Sequence, residues 1–279
     1  MQITVLIENT TDSDLICEHG LSLWIVYEGK NYLLDAGQTG IFLENAKKME
    51  IPLEKTACAV LSHGHYDHAG GFADYLEQNP QVKVYAMEQI TQEYYSGSGG
   101  EIHPIGVPKT VYPKYEKQFC LINQMTKVSE KIYLVPHQTQ ELEKIGERAK
   151  LYRIEDGKYV GDDFAHEMSL VFDTDKGLVI FNSCSHAGVK NIVEEVKAVL
   201  PNRPIHAFCG GLHMKGNRNG EECCTFTQEE INALVEYIKA EEIHHIYTGH
   251  CTGEPGYQLL REQLGERMER LVTGKRFSC

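Results

Sequence analysis

The stretch Ser62-His63-Gly64-His65-Tyr66-Asp67-His68 places three imidazoles and one carboxylate within six residues. It directly follows the short apolar run at 57–61, which has the length and composition of a buried strand. The histidines are therefore predicted to lie on a loop between a strand and a helix. Imidazole and carboxylate are ligands that zinc, manganese and ferrous iron accept, so the loop predicts a metal site, with a solvated polar turn as the plain alternative.

Alternation along an extended loop divides these side chains into two groups. His63 and His65 lie two residues apart and should point to the same side. Asp67 and His68 come after the bend and could face a second ion a few ångströms away.

Further along the chain, the same order of residues recurs: an apolar run, a few small or polar residues, then a histidine. The four histidines that end such runs are His63, His186, His213 and His250. Strand ends in α/β folds converge on one rim, where ligands usually bind. The four runs therefore predict one polar site built from separate parts of the chain.

The remaining pattern predicts two halves with the same element order. Residues 21–27 and 30–35 flank Glu28-Gly29 as a hairpin, and residues 169–173 and 177–181 form a second one. The helices are predicted at 41–49, 187–200 and 228–240, and further strands at 205–209 and 243–247. This order predicts an α/β fold of the αββα type, with two mixed sheets packed face to face and helices outside, in a single domain spanning 1–279.

The stretch from about 72 to 163 has a weaker pattern. It contains a predicted strand at 82–85, a predicted helix at 87–95 and a flexible Ser/Gly run at 96–100. We interpret it as a variable, lid-like segment.

Composition narrows the functional classes. The net charge of -13 disfavours nucleic acid, whose phosphates need a basic surface. The first eight residues read as a strand, without a basic region or a long apolar run, so neither export nor a membrane is expected. Nine cysteines, an odd number without C-x-x-C spacing, favour a reducing cytoplasm. The expected partner is a small-molecule substrate, and a homodimer is left open.

The H-x-H-x-D-H loop, with Leu34-Asp35-Ala36-Gly37 before it and Thr248-Gly249-His250 near the end, resembles the metallo-β-lactamase superfamily over nearly the whole chain. Three further runs look like its dihydropteroate-synthase-like branch. They are Ser183-Cys184-Ser185-His186-Ala187-Gly188, Gly210-Gly211-Leu212-His213 and Gly249-His250-Cys251-Thr252-Gly253.

The resemblance implies that His63 and His65 hold one divalent ion, and that Asp67, His68 and His250 hold a second. Zinc is favoured over manganese or iron. Asp35 is expected to accept hydrogen bonds that fix the histidine loop, and not to be a ligand itself.

The resemblance implies a histidine ligand before the second hairpin, where His166 stands, and a bridging aspartate after it. Ser183-Cys184 stands where the superfamily has Gly-Asp, so the bridging group and the third ligand of the first ion are open. Cys184 and His186 lie two residues apart and can point to the same side of an extended segment. We therefore place His186 before His166 as the ligand, with Cys184 as a bridging thiolate or a buried neighbour. His166 is expected to be an exposed loop residue.

Two ions that share a water lower its pKa to roughly 7 and polarise a substrate oxygen. We therefore expect a metal-dependent hydrolase or group transferase acting on a small phosphorylated or ester-type metabolite. Asp67 would ligate metal and orient the water, and His213 would stabilise charge or protonate the leaving group. The alternatives are a di-iron redox protein and a non-catalytic small-molecule-binding protein of the same fold.

Overall fold

The computed structural model describes residues 1–279 and contains twenty β-strands and seven α-helices. The strands, in chain order, are β1 (Gln2–Ile7), β2 (Ser22–Tyr27), β3 (Lys30–Leu34), β4 (Thr56–Val60), β5 (Val84–Met87), β6 (Tyr94–Ser96), β7 (His103–Pro104), β8 (Phe119–Ile122), β9 (Thr126–Ser129), β10 (Ile132–Pro136), β11 (Leu151–Glu155), β12 (Lys158–Gly161), β13 (Met168–Thr174), β14 (Gly177–Phe181), β15 (Ile205–Cys209), β16 (Lys215–Arg218), β17 (Glu221–Cys224), β18 (His245–Thr248), β19 (Met268–Arg270) and β20 (Arg276–Ser278). The helices are α1 (Ile41–Lys48), α2 (Tyr66–Ala69), α3 (Phe72–Gln78), α4 (Glu143–Ala149), α5 (Val189–Val199), α6 (Gln228–Ala240) and α7 (Gly253–Leu264).

The chain divides into two compact units. The first comprises Met1–Met125, Pro136–Met168 and Val272–Ser278, and the second comprises Thr126–Val135, Ser169–Leu271 and Cys279. The single-domain organisation and the lid-like role of 72–163 stay predictions.

The first unit is built on a seven-stranded mixed sheet in the order β20-β1-β2-β3-β4-β5-β8. Strands β1, β2 and β3 are antiparallel, whereas β3, β4, β5 and β8 run parallel to one another. The predicted hairpin between β2 and β3 is confirmed. Its two turn residues, Glu28 and Gly29, both have positive φ angles (48° and 73°), which is the geometry of the tight turn that matches strand twist.

The first unit also holds a four-stranded sheet in the order β12-β11-β6-β7. One of its strands, β6, overlaps the region where the sequence predicted a helix at 87–95, and that prediction is wrong. The chain instead forms a short 3-10 helix, Glu88–Thr91, and then β6, in which Tyr95 pairs with Tyr152 of β11. Pairing with a strand more than fifty residues away decides the conformation, and the local pattern carries no sign of it.

The second unit is built on a mixed sheet in the order β19-β18-β15-β14-β13-β10-β9. Strands β14, β15, β18 and β19 are parallel, and helices α5, α6 and α7 lie in the connections between them. Thr227 caps the start of helix α6: its hydroxyl accepts a hydrogen bond from Glu230 N, and the Glu230 carboxylate accepts one from Thr227 N. Its observed bounds, Gln228–Ala240, match the prediction.

The mixed α/β class and the two mixed sheets with helices are therefore confirmed. The helices predicted at 41–49 and 187–200 are present as α1 and α5 with shorter ends. None of the helices combines the length and the apolar character that a membrane crossing requires.

Candidate functional site

The histidine loop lies between β4 and α2, as the sequence predicted. His63 and His68 are completely buried, and His65 and Asp67 are exposed by only 5% and 7%. The ring centroid of His63 lies 4.6 Å from that of His65 and 4.2 Å from that of His68. Burying so many polar groups together costs free energy unless they form hydrogen bonds with one another or bind a ligand.

Asp35, at the end of β3, anchors this loop. Its carboxylate accepts hydrogen bonds from Ser62 N (2.7 Å), Ser62 Oγ (2.7 Å) and Nδ1 of His68 (2.8 Å), and the residue is completely buried. Since Nδ1 of His68 is held by Asp35, Nε2 is the ring nitrogen that can bind a metal. The expected role of Asp35, as an acceptor that fixes the loop, is confirmed.

The charges around His68 favour a cation at this position. Burial alone would lower the pKa of His68, but the charges of Asp67 and Asp35, and hydrogen bonds to both, raise it to about 10. Nε2 of His68 lies 3.4 Å from Asp67 Oδ2. In contrast, burial and the neighbouring His166 ring lower the pKa of His65 to about 3. Its imidazole is therefore neutral at pH 7, and one ring nitrogen has a lone pair that can coordinate a metal ion. The donor set of this cluster fits a divalent metal ion.

His166 is the residue for which the sequence interpretation is wrong. It is completely buried and not exposed. Its Nδ1 accepts a hydrogen bond from Gly64 N (2.8 Å), and its Nε2 lies 3.0 Å from Asp162 Oδ2. The Tyr94 ring packs against it at a centroid distance of 4.0 Å. His166, Asp162 and His65 each offer a ligand atom within 4.8 Å of the others.

In the second unit, β14, β15 and β18 are parallel neighbours, so the loops that follow them leave the same edge of the sheet. These loops carry Cys184, His186, His213, His250 and Cys251. The predicted convergence of histidine-bearing strand ends is thus confirmed for His186, His213 and His250. The ring centroids of His186 and His213 lie 4.3 Å apart.

A thiol pair accompanies these histidines. Ligand atoms of Cys184, His250 and Cys251 lie within 4.8 Å of one another, and Sγ of Cys251 donates to Cys184 O at 3.5 Å. Burial would raise the pKa of Cys251, but hydrogen bonds with Cys184 and His213 and the charges of His250 and His213 lower it well below the usual value. Cys251 was not a candidate from the sequence, although its neighbour His250 was; the only signal was its place next to a histidine in a glycine-flanked loop.

Backbone conformation holds this second cluster in place. Ser185, His213 and His250 have φ angles of 54°, 49° and 51°, a left-handed conformation that non-glycine residues rarely adopt. A Cβ at Gly211 would lie 2.3 Å from Sγ of Cys251, so only glycine leaves room for the thiol there. Strained backbone of this kind clusters at functional sites.

Comparison with known proteins identifies the class. The metallo-beta-lactamase superfamily model matches residues 15–157, and the chain belongs to that superfamily. It is 28% identical over 271 residues to the 7,8-dihydropterin-6-methyl-4-(beta-D-ribofuranosyl)-aminobenzene-5'-phosphate synthase of Methanocaldococcus jannaschii, covering 92% of this chain and 89% of the relative. An uncharacterized protein of the same organism is 30% identical over 255 residues, covering 90% of both chains.

Solved structures show the same fold. Tm1679, a metal-dependent hydrolase of the beta-lactamase superfamily, superposes with a TM-score of 0.82 at 24% identity, covering 100% of this chain and 99% of its own. A diphosphatase of the PhnP family superposes with a TM-score of 0.55 at 16% identity, covering 100% and 97%. The resemblance seen in the sequence, to the superfamily and to its pterin-related branch, is confirmed.

Proposed function

We propose that this protein is a metal-dependent hydrolase or group transferase that acts on a small phosphorylated or ester-type metabolite. The observation that carries the proposal is the buried cluster in which His63, His65 and His68 lie against Asp67 while Asp35 fixes His68. Imidazoles beside a carboxylate form a donor set suited to zinc and similar ions.

Five of the proposed ligands are those that the superfamily pattern assigns, and the sixth, His186, is placed by its two-residue spacing from Cys184. The set is His63, His65, Asp67, His68, His186 and His250. Two divalent ions held by such a set, with zinc preferred, would supply a water of lowered pKa and polarise the substrate oxygen. Cys184 and Cys251, which lie with His250 in the second unit, are additional donors.

The chain's own residues have separate roles in this proposal. Asp67 holds and orients the attacking water through its carboxylate, and His213 donates a proton to the leaving group or stabilises its charge. His213 shares a hydrogen bond with Cys251, which orients its ring. Its ring packs against His186, which keeps it beside a proposed ligand.

The nature of the substrate is supported by the archaeal relative, whose name ends in a 5'-phosphate. The net charge of -13 opposes a nucleic-acid substrate, since phosphates along a polymer need an extended basic surface. A small phosphorylated metabolite instead brings one anionic group, which bound cations can neutralise locally. The odd number of cysteines supports a cytoplasmic location.

The His68→Ala substitution tests the proposal. We expect it to abolish metal loading and turnover together, because it removes one proposed ligand and leaves Asp35 and Asp67 without their shared partner. Metal content per chain is measured by elemental analysis of protein purified without air, and turnover by a panel of phosphoesters and thioesters.

The matched control is His103→Ala, an exposed histidine of the same unit whose ring is outside the cluster. It should keep full metal content and activity. Full metal stoichiometry and full turnover in the His68→Ala protein would refute the proposal. Bound iron with a reducible optical spectrum and no hydrolysis would favour the redox alternative instead.

A further inference from the structure

His166 occupies the place, just before β13, where the superfamily pattern expects a metal ligand, yet both of its ring nitrogens are engaged elsewhere. A backbone N–H can only donate, so Nδ1 of His166, which accepts from Gly64 N at 2.8 Å, carries no proton. The ring proton therefore resides on Nε2, where it is donated to Asp162 Oδ2 at 3.0 Å. The two hydrogen bonds together fix one tautomer and one ring orientation.

The first of these bonds acts directly on the histidine loop. Gly64 lies between His63 and His65, so the direction of its N–H helps to set the directions of both flanking side chains. The side chains of Tyr94 and His166 also fill the space around Gly64. A Cβ at Gly64 would lie 3.3 Å from the Tyr94 ring and 3.4 Å from Nδ1 of His166. The loop is therefore held on this side by contacts that do not involve its metal-binding atoms.

The second bond connects His166 to a rigid part of the first unit. Asp162 is completely buried, its Oδ1 accepts a hydrogen bond from Phe164 N at 2.8 Å, and its own N–H donates to Leu151 O at 3.0 Å. Helix α4 packs so closely that a Cβ at Gly146 would lie 2.4 Å from the Asp162 backbone. Contacts other than the one with His166 therefore also position the Asp162 carboxylate.

We infer that Asp162 and His166 are positioning residues that orient the histidine loop through Gly64, and that His166 is not a metal ligand. The inference rests on the proposed function, since it concerns the loop that would bind metal. Ligation through Nε2 would take the His166 donor away from Oδ2 of the buried Asp162, and ligation through Nδ1 would leave Gly64 N–H without its acceptor. Residues that orient ligands in this way typically change metal affinity 10–100-fold when they are mutated.

The test compares four proteins: the unsubstituted chain, His166→Ala, His166→Asn and Asp162→Asn. Zinc affinity is measured by competition with a chromogenic chelator, the number of bound ions by elemental analysis, and the coordination geometry by the visible absorption of the cobalt form. We expect His166→Ala to bind the same number of ions as the unsubstituted chain with about 10–100-fold weaker affinity. His166→Asn should recover much of this loss, because its amide oxygen can accept from Gly64 N, and Asp162→Asn should lie in between.

Asn45→Ala is the matched control for a general loss of stability. Asn45 is completely buried in the same unit and donates from Nδ2 to Leu6 O and Ile16 O, at 2.9 and 2.7 Å, without contacting the loop. It should lower the melting temperature and leave zinc affinity unchanged. If His166→Ala behaved like this control, the positioning role would be wrong, and if it lost one bound ion, His166 would be a ligand.

Nitrogen-15 spectra of histidine-labelled protein give a readout that does not depend on the variants folding. We expect His166 to keep its proton on Nε2 both before and after zinc is added. Loss of that proton on zinc addition would overturn the inference even if the protein binds metal as proposed. An unsubstituted chain that binds no zinc would instead refute the proposed function, and the positioning role with it, while the spectrum would still report the tautomer.

Discussion

The two units hold their candidate metal-binding side chains by different means. In the first unit one short loop supplies His63, His65, Asp67 and His68, and buried side chains such as Asp35 fix it by hydrogen bonds. In the second unit three separate loops supply the donors, and left-handed backbone at positions such as His213 and His250 sets their directions.

This difference indicates where each cluster is vulnerable. The first should be sensitive to loss of a single buried hydrogen-bonding side chain, because several loop atoms depend on one acceptor. The second should be sensitive to added volume, because glycines allow its loops to approach one another closely. The predictions below separate the two cases.

The largest effect is expected from Asp35→Ala. The change removes the acceptor of three hydrogen bonds and leaves the buried His68 and Ser62 unpaired on that side, so the free energy of unfolding should fall by about 3–5 kcal/mol. Denaturant unfolding of the metal-free protein measures it. A loss below about 1 kcal/mol would show that the loop does not depend on this carboxylate.

Two thiols, one in each unit, should give opposite dependences of stability on pH. Burial raises the pKa of Cys58 in β4 to about 12, so the unfolded chain ionises first and the free energy of unfolding falls as pH rises from 9 to 12, by about 4 kcal/mol in all. The pKa of Cys251 is lowered, so this thiol stabilises the folded state at pH values above its unfolded pKa of 9. The stabilisation is lost as pH falls through the folded pKa.

Unfolding curves of Cys58→Ala and Cys251→Ser, recorded in chelator across pH 6 to 11, measure the two contributions. Between pH 9 and 11 the free energy of unfolding should fall less for Cys58→Ala than for the unsubstituted chain. Cys251→Ser should be less stable than the unsubstituted chain at high pH, and this difference should shrink as pH falls. Parallel pH profiles for the two variants would contradict the assignment of opposite shifts.

The smallest effects should come from added methyl groups, and they should differ between the units. Gly211→Ala places a Cβ 2.3 Å from Sγ of Cys251 and should destabilise by about 2 kcal/mol. In Gly64→Ala the added Cβ would lie 3.3–3.4 Å from its nearest neighbours, which a small shift can relieve. We therefore expect the free energy of unfolding to fall by less than about 1 kcal/mol. Thermal unfolding of both variants provides the comparison, and a larger loss for Gly64→Ala would reverse it.

The sequence predicted the elements whose signals are local. The hairpin around Glu28-Gly29 has a turn that needs positive φ at both positions, and α6 has a capping box at its start. The prediction of a helix at 87–95 was wrong, because Tyr94 and Tyr95 belong to β6, which pairs with β11 far along the chain. Local propensity cannot report such a partner.

The same limit applies to the site. The clustered histidines of the loop after β4 and the role of Asp35 were predictable, because the ligand types and the flanking motif are adjacent in sequence. The burial of His166 was not, since it depends on Asp162 and Gly64, and only the fold brings Gly64 to it. The pairing of Cys251 with Cys184 likewise requires two loops that are 67 residues apart.

The pairing of β20 with β1 has a consequence for how the chain assembles during synthesis. Residues 276–278 form the edge of the first sheet, in register with Gln2, Ile3 and Thr4, and Thr273 accepts a hydrogen bond from Glu8 N. This segment is made after the other strands of the sheet, so β1 lacks its outer neighbour until β20 has been synthesised. Until then β1 presents an open edge, which is a site where another chain can pair.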